Sequence, residues 1–400
     1  MALIPPDEAW RRIAARVSPL AADVVGRRAA GGRVLARALA ATVDVPAADV
    51  SAMDGYALAG EVGPEEARPV AGTIAAGDPP GFALPAGAAA RIMTGAVVPA
   101  GADRVIPVEQ TDGGRERVTF RQGVPPGEHI RRRGEILRAG EPLLAAGSLL
   151  TPAVLALLAT HGHGEVPIHR VPTVAVLTTG DEVVPPDTTP APGQLRDSNT
   201  DFLLAAGSTL GLRFEPLGIA PDRVDALRER VREGLRADVL LLCGGVSMGE
   251  FDYVEGVLAD FGCEAVFDEV AIQPGKPVVF ATHPGGVVFG LPGNPASVMV
   301  SFWLFVRPAL RRLLGFDDSW WGPALRGTLA TPLSGGGPRD RFLPATVEPR
   351  EGEILVTPYS FKGSHDLAAF SRGTALVRVR AGAEPVAAGE RCEVLVVAPQ

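Results

Sequence analysis

The side chains best placed for chemistry stand in short segments rich in glycine and proline. In Cys243-Gly244-Gly245-Val246-Ser247-Met248-Gly249-Glu250-Phe251-Asp252, paired glycines let a ligand approach the backbone, whose amides can hold phosphate or another oxyanion. Ser247 adds a hydroxyl donor, while Glu250 and Asp252 offer carboxylates for a divalent cation or an oriented water. Gly244 and Gly245 taken alone are also an ordinary turn. Gln273-Pro274-Gly275-Lys276-Pro277 stiffens the chain around one of only two lysines, Lys276 and Lys362. That stiffness presents an ammonium to an anion at low entropic cost, or simply makes a rigid turn. Gly290-Leu291-Pro292-Gly293-Asn294-Pro295-Ala296-Ser297 puts Pro295 in a first helical turn and Ser297 near free amides, and reads otherwise as a strand-to-helix connector. Thr178-Thr179-Gly180-Asp181-Glu182 and the more distant Asp222 add three carboxylates. Such crowding is repulsive unless a cation joins it, which favours Mg2+ with phosphate ligands; helix capping by Asp181 or Asp222 is the competing reading.

Two further segments, Ser51-Ala52-Met53-Asp54-Gly55-Tyr56 and Arg91-Ile92-Met93-Thr94-Gly95-Ala96, set a polar residue in a tight glycine turn. Arg131, Arg132 and Arg133 make a local positive patch, either solvated or facing ligand phosphates.

These segments need a scaffold with several sheet edges. Thr173 to Thr178, Asp238 to Cys243 and Val287 to Leu291 are apolar, β-branched runs of the kind buried in a parallel sheet. Helical stretches over 199–210, 223–235 and 295–314 alternate with them and with a strand over 214–219, the rhythm of a doubly wound α/β domain, whose ligands sit at the carboxyl ends of strands. Residues 43–142 break into short β-like runs punctuated by glycine and proline, an inserted β-rich module. The spacing predicts helix over 7–42, and Thr151 with Pro152 opens another helix after 143. From 322 to 400 short strands return as a compact β-domain.

A length of 400 residues allows several cores. Composition, 46% hydrophobic and 21% charged, is that of a folded globular chain. The formal charge of −8 gives no general attraction to nucleic acid or anionic lipid, so an anionic ligand requires a local cationic site. Three scattered cysteines, Cys243, Cys263 and Cys392, suit neither a disulfide framework nor a zinc site. Residues 1–12 lack the basic start and apolar run of a signal peptide, and the longest apolar stretches fall short of the roughly 20 residues of a membrane span. The expectation is a soluble, cytoplasmic protein.

Read in order, Ser51 to Tyr56, Thr94 to Ala96, Thr179 to Glu182, Gly244 to Ser247, Pro274 to Pro277 and Leu291 to Pro295 resemble the motifs of the molybdopterin molybdenumtransferase family from about residue 7 to the C-terminus. The resemblance implies a multidomain α/β plus β fold. It consists of a helical linker domain (7–42 and 143–172), the inserted module (43–142), a molybdopterin-binding α/β domain with a mostly parallel sheet (173–321) and a barrel-like C-terminal domain (322–400). It implies a transferase that inserts molybdate into adenylyl-molybdopterin with release of AMP, with Mg2+ as cofactor. It also implies a homodimer in which the module of one subunit faces the α/β domain of the other. Asp54, Thr94, Glu182, Asp222 and Asp252 match positions important for activity, with Asp222 and Asp252 toward Mg2+. Lys276 and Ser297 match the molybdate region. Gly244, Gly245, Ser247, Pro274, Gly275, Pro277, Pro292, Asn294 and Pro295 complete the substrate-binding set. A molybdopterin adenylyltransferase and apo-molybdoenzymes are the implied partners, with no nucleic acid and no membrane.

The chain departs from the family pattern at Gln273, where many relatives carry a second lysine, and at Ile136, where an aspartate is usual after Arg-Gly-Glu. The first loses a positive charge, which implies either weaker molybdate binding or more reliance on Arg339 or Arg341. Three alternatives stay open on sequence: an adenylyltransferase, a tungstate-inserting relative, and a non-catalytic pterin-binding scaffold.

Overall fold

The computed structural model describes residues 3–79, 81–245, 254–317, 320–322, 324–350 and 352–397. It separates into two compact units, residues 24–166 and residues 1–23 together with 167–400.

The larger unit is organised around a six-stranded sheet. Its elements are β1 (Val174–Thr179), α1 (Asn199–Thr209), β2 (Phe214–Ala220), α2 (Val224–Gly234), β3 (Val239–Cys243), α3 (Val254–Asp260), β4 (Glu264–Phe267), β5 (Val279–His283), β6 (Gly286–Leu291) and α4 (Pro295–Ser301). The strand order is β2-β1-β3-β6-β5-β4. The first four strands run parallel and β5 runs against both neighbours. Strand residues alternate between two cores, as a period of two requires. Val174, Val176, Leu241 and Phe289 pack with Leu203 and Val298 on one face. Ala175, Leu177, Leu240 and Leu242 pack with Leu227, Val231 and Val257 on the other. Both faces are covered, so these strands read as unbroken apolar runs. Each fully buried leucine contributes about 1.5–3 kcal/mol.

Register decides what meets at the carboxyl edge. Thr178 lies opposite Cys243, and Cys243 opposite Leu291. The glycine- and proline-rich segments that follow β1, β3 and β6 therefore emerge level with one another.

Two sequence expectations change. The helix expected over residues 7–42 is confined to Pro6–Ala14, which buries Ala9, Trp10 and Ile13; Ala22–Gly26 is strand and Arg27–Ala30 a 3-10 turn. Pro19 cannot continue a helix, Val24 and Val25 favour extended backbone, and Gly31 with Gly32 ends the last turn. The helix expected over 295–314 opens into a π-turn at Phe302–Val306 before resuming at Arg307–Leu313. Pro308, lacking an amide hydrogen, accounts for the break.

At the C-terminus, Ala324–Leu329, Asp340–Arg350, Glu353–Pro358, Ala375–Val379 and Arg391–Val396 close a five-stranded barrel, because Asp340–Arg350 pairs on both sides. Leu329, Leu343, Val356, Val377 and Val394 fill it. Closure removes exposed strand edges. The barrel also captures a piece of the α/β domain: Ile272 and Gln273 pair in parallel with Asp340 and Arg341. A buried ionic knot sits at this junction. Asp340 accepts from Arg378 Nε (2.7 Å) and from the Ala381 amide (2.8 Å), and the guanidinium lies over the Trp320 ring at 4.6 Å. Arg378 and Asp340 side chains are only 7% and 9% exposed.

In the smaller unit, five strands lie in the order Arg104–Pro107, Gly55–Leu58, Ala89–Ile92, Ala67–Ile74, Arg117–Thr119, the β-rich character expected of it. Helix Pro152–Thr160 starts as expected, with Thr151 Oγ1 accepting from the Val154 amide at 3.3 Å.

Candidate active site

A cavity of about 640 Å3 opens at the carboxyl edge of β1, β3 and β6. Glu182, Asp222, Gly244, Gly245 and Pro277 line it, and Pro292, Asn294 and Pro295 form a further wall. Five segments, from Glu182 through Asp222, Gly244 and Pro277 to Pro295, thus meet where an α/β sheet binds its ligands.

Gly244 is the sharpest local requirement. Its φ is +91°, and a Cβ there would stand 2.7 Å from the Thr179 carbonyl oxygen. Only glycine permits β1 and the turn after β3 to approach this closely. The proline-rich wall is held from α1: Asn199 Nδ2 donates to the Gly293 carbonyl at 2.8 Å. Asp197 fixes the start of that helix by accepting from the Asn199 and Thr200 amides (3.1 and 3.0 Å) and from Thr200 Oγ1 (2.6 Å). Asp197 and Asn199 line the cavity although no sequence motif singled them out; a capping aspartate just before a helix was the available signal. Thr179 Oγ1 is buried at the same wall without a hydrogen-bond partner. Such an unsatisfied hydroxyl suits contact with a ligand.

The carboxylates are crowded, as their sequence pattern suggested. The Asp222 amide donates to Asp181 Oδ1 at 3.1 Å, and the Asp181 amide to Asp222 Oδ2 at 3.4 Å. Burial, together with the negative charges of Asp181 and Glu182, pushes the Asp222 carboxyl above the usual range against the pull of the Asp181 amide. Asp181 itself lines a neighbouring cavity of about 540 Å3 with Pro185, Pro186 and Pro221. Ser247, Glu250 and Asp252 lie outside the described residues. Among the described residues no group of three or more histidine, cysteine or carboxylate side chains is arranged as a metal cage.

The lysine turn and the serine helix meet through Gly275. With φ at +102°, a Cβ there would be 3.0 Å from Ser301 Oγ and 3.5 Å from the Ser297 carbonyl. Glycine therefore lets residues 274–276 lie against α4. Ser297 is buried, and of this turn only Pro277 lines the cavity, so Pro274, Gly275, Lys276 and Ser297 stand behind its wall. Lys276 Nζ pairs with Glu269 at 2.6 Å, a partner that sequence reasoning missed. The lysine side chain is 43% exposed, so this pair is worth about 0–1 kcal/mol, little enough for a divalent oxyanion to displace it. Arg341 donates to Ser334 Oγ (3.0 Å) and the Gly335 carbonyl (3.2 Å), and Arg339 to the Ile272 carbonyl (3.3 Å).

In the smaller unit, Asp54 Oδ1 accepts from both the amide and the hydroxyl of Thr94 at 2.7 Å. These bonds hold the exposed Asp54 carboxyl below the usual range. Within the arginine patch Arg132 pairs with Asp49 at 2.6 Å and Arg133 with Asp44 at 2.5 Å, exposed pairs of the same weak kind. Among the described residues no helix is long and apolar enough to cross a membrane.

Comparison with known proteins places each region. Residues 4–162 match the MoeA N-terminal region (domain I and II), residues 175–312 the family described as "Probable molybdopterin binding domain", and residues 326–397 the MoeA C-terminal region (domain IV). A relative from Nostoc sp. named molybdopterin molybdenumtransferase is 37% identical, with 86% of this chain and 80% of the relative covered. One of the same name from Synechococcus elongatus is 36% identical, with 94% of each covered. A crystal structure of a molybdopterin biosynthesis moeA protein from Pyrococcus horikoshii superimposes over 100% of both chains with a TM-score of 0.84 at 31% identity.

Proposed function

Since the chain belongs to the molybdopterin molybdenumtransferase family and is an enzyme of molybdenum cofactor biosynthesis, we propose that it inserts molybdate into adenylyl-molybdopterin and releases AMP. The observation that carries this reading is the single cavity gathering Glu182, Asp222, Gly244, Gly245, Pro277 and the Pro292 to Pro295 wall.

The residues divide the work by their chemistry. The Gly244-Gly245 turn admits the pterin nucleotide against bare backbone, and Ser247 adds a donor. Lys276, released from Glu269, captures molybdate beside it, with Ser297 buried behind that wall and the Pro274 to Pro277 and Pro292 to Pro295 segments giving a stiff frame. Asp222 suits Mg2+: its ionised form is opposed by burial and by two neighbouring carboxylates, a repulsion that a divalent cation removes. Mg2+ commonly takes one or two carboxylates plus phosphate oxygens, so Asp222 and Asp252 would hold it. When bound, the ion offsets phosphoanhydride charge. Glu182 orients the water that attacks the phosphoanhydride.

Asp54 and Thr94 serve the same reaction from the second subunit of a homodimer. An apolar, largely exposed helix supports that assembly: Pro152–Thr160 buries only Leu158, and Leu149 and Leu157 are 45% and 38% exposed. The enzyme works in the cytoplasm, receiving its substrate from a molybdopterin adenylyltransferase and passing product to apo-molybdoenzymes.

The test is incubation with adenylyl-molybdopterin, molybdate and Mg2+. Molybdate-dependent AMP release, with product that reconstitutes an apo-molybdoenzyme, is expected. Formation of the adenylylated pterin from ATP, or absence of AMP, overturns the reading.

A further inference from the structure

One wall of the cavity comes from the C-terminal domain. His365, in the loop that precedes helix Leu367–Arg372, and Leu367, at the start of that helix, line it. We propose that His365 carries the proton when molybdate condenses with the pterin dithiol, an inference that rests on the molybdate-insertion reading above.

The loop is built to hold an imidazole in place. Asp366 accepts from the Lys362 amide at 2.9 Å and the Ala369 amide at 3.1 Å, which fixes both ends of the turn. The Ser364 carbonyl accepts from the Ala296 amide at 3.1 Å, pinning the turn to the residue after Pro295 of the cavity wall. Gly363 has φ +117°, and the imidazole lies over it: a Cβ there would be 3.3 Å from His365 Cε1 and 3.4 Å from Nδ1. The ring itself is exposed at the rim, open to substrate.

The chemistry needs such a group. A dithiol and molybdate give a dithiolate trioxo-molybdenum dianion and water. Two Mo–S bonds form, one Mo–O bond breaks, both thiol protons end on the departing oxygen, and molybdenum stays hexavalent. A thiol proton must therefore travel to an oxo group that becomes water. His365 gives a proton to that oxygen and takes one from the second thiol, returning to its starting state. Imidazole exchanges protons near neutral pH.

The other ionisable groups on the cavity are committed elsewhere. Asp197 is held by three hydrogen bonds, and burial raises the Cys243 thiol out of reach. Arg196 offers donors only, and the reaction proposed above already uses Glu182 to orient water and Asp222 to hold Mg2+. On the same loop the Asp366 carboxylate lies within electrostatic reach of both His365 and Lys362.

Cofactor formation by His365→Gln and His365→Ala is compared with the parent across about pH 5.5–8.5, alongside the KM for molybdate. The expected result is a kcat about 100-fold lower for His365→Gln with KM within twofold, a pH profile that differs from the parent's, and partial rescue of His365→Ala by added imidazole. A parental kcat and pH profile in His365→Gln overturns the proposal. So does a raised KM alone, which would make the residue an anion contact. A parent that forms no cofactor refutes the underlying reaction and this role with it. An active parent with an unaltered variant refutes the role of His365 only.

Discussion

Gly244→Ala measures whether the close approach of β1 and the turn after β3 is what builds the cavity. The new methyl meets two costs. At φ +91° an L side chain is strained by about 1–2 kcal/mol. The methyl would also stand 2.7 Å from the Thr179 carbonyl oxygen and 3.0 Å from Thr179 Oγ1. The nearer of these is backbone in a central strand, so the strand ends must part, at about 1–3 kcal/mol. The expected loss is about 2–5 kcal/mol, where 3 kcal/mol is a change of more than about 100-fold in the folded-to-unfolded ratio. Gly293→Ala is the control: it sits on the same cavity, but a Cβ there has only the Gly244 Cα within 4 Å, at 3.9 Å, so it should cost under about 1 kcal/mol. Urea unfolding followed by tryptophan fluorescence isolates the relevant unit, because all four tryptophans, Trp10, Trp303, Trp320 and Trp321, belong to the unit formed by residues 1–23 and 167–400. Loss of pterin-nucleotide affinity should accompany the Gly244 change. The reasoning fails if Gly244→Ala unfolds within about 0.5 kcal/mol of the parent, or if the two alanines cost the same.

Asp222→Asn should melt above the parent at neutral pH and together with it at strongly acid pH, while losing its Mg2+ response. A raised carboxyl penalises the fold only where it is ionised, so the penalty is absent below the ordinary aspartate range and grows as pH rises through the raised value. Melting curves against pH decide it, and a variant less stable at pH 7 would contradict the crowding argument. Glu269→Gln frees Lys276, and molybdate titration should give a KM lower by up to about 5-fold, the equivalent of a pair worth at most about 1 kcal/mol. An unchanged or higher KM would show that the lysine does not meet the anion. Asp340→Asn leaves the buried Arg378 charge with only the longer, exposed Asp7 contact at 3.5 Å and should cost up to about 3–5 kcal/mol in the same fluorescence experiment, against almost nothing if the knot is solvated.

Much of the scaffold was legible because its signals are local. The apolar runs of β1, β3 and β6 are buried on both sides, and glycine or proline closes each of them, so composition alone marks strand and stop. Gly244 and Gly275 advertise backbone conformations that other residues avoid. Local signals also misled. Alanine and arginine over residues 7–42 imitate helix periodicity, but Pro19 and the glycines at 31 and 32 outweigh it. The strands Glu264–Phe267 and Val279–His283 went unread, since short runs beside Cys263 and Pro277 carry no period.

What remained hidden depends on residues far apart in the chain. Local residue patterns identify the parts: carboxylates after one strand, paired glycines after another, a stiff lysine turn and a helix with proline in its first turn. That Thr178, Cys243 and Leu291 end level, that Glu269 holds Lys276, and that a barrel loop brings His365 to the cavity follow from packing between distant segments. Backbone preference acts within a few residues, whereas strand register and domain packing are settled by the burial of whole faces at once.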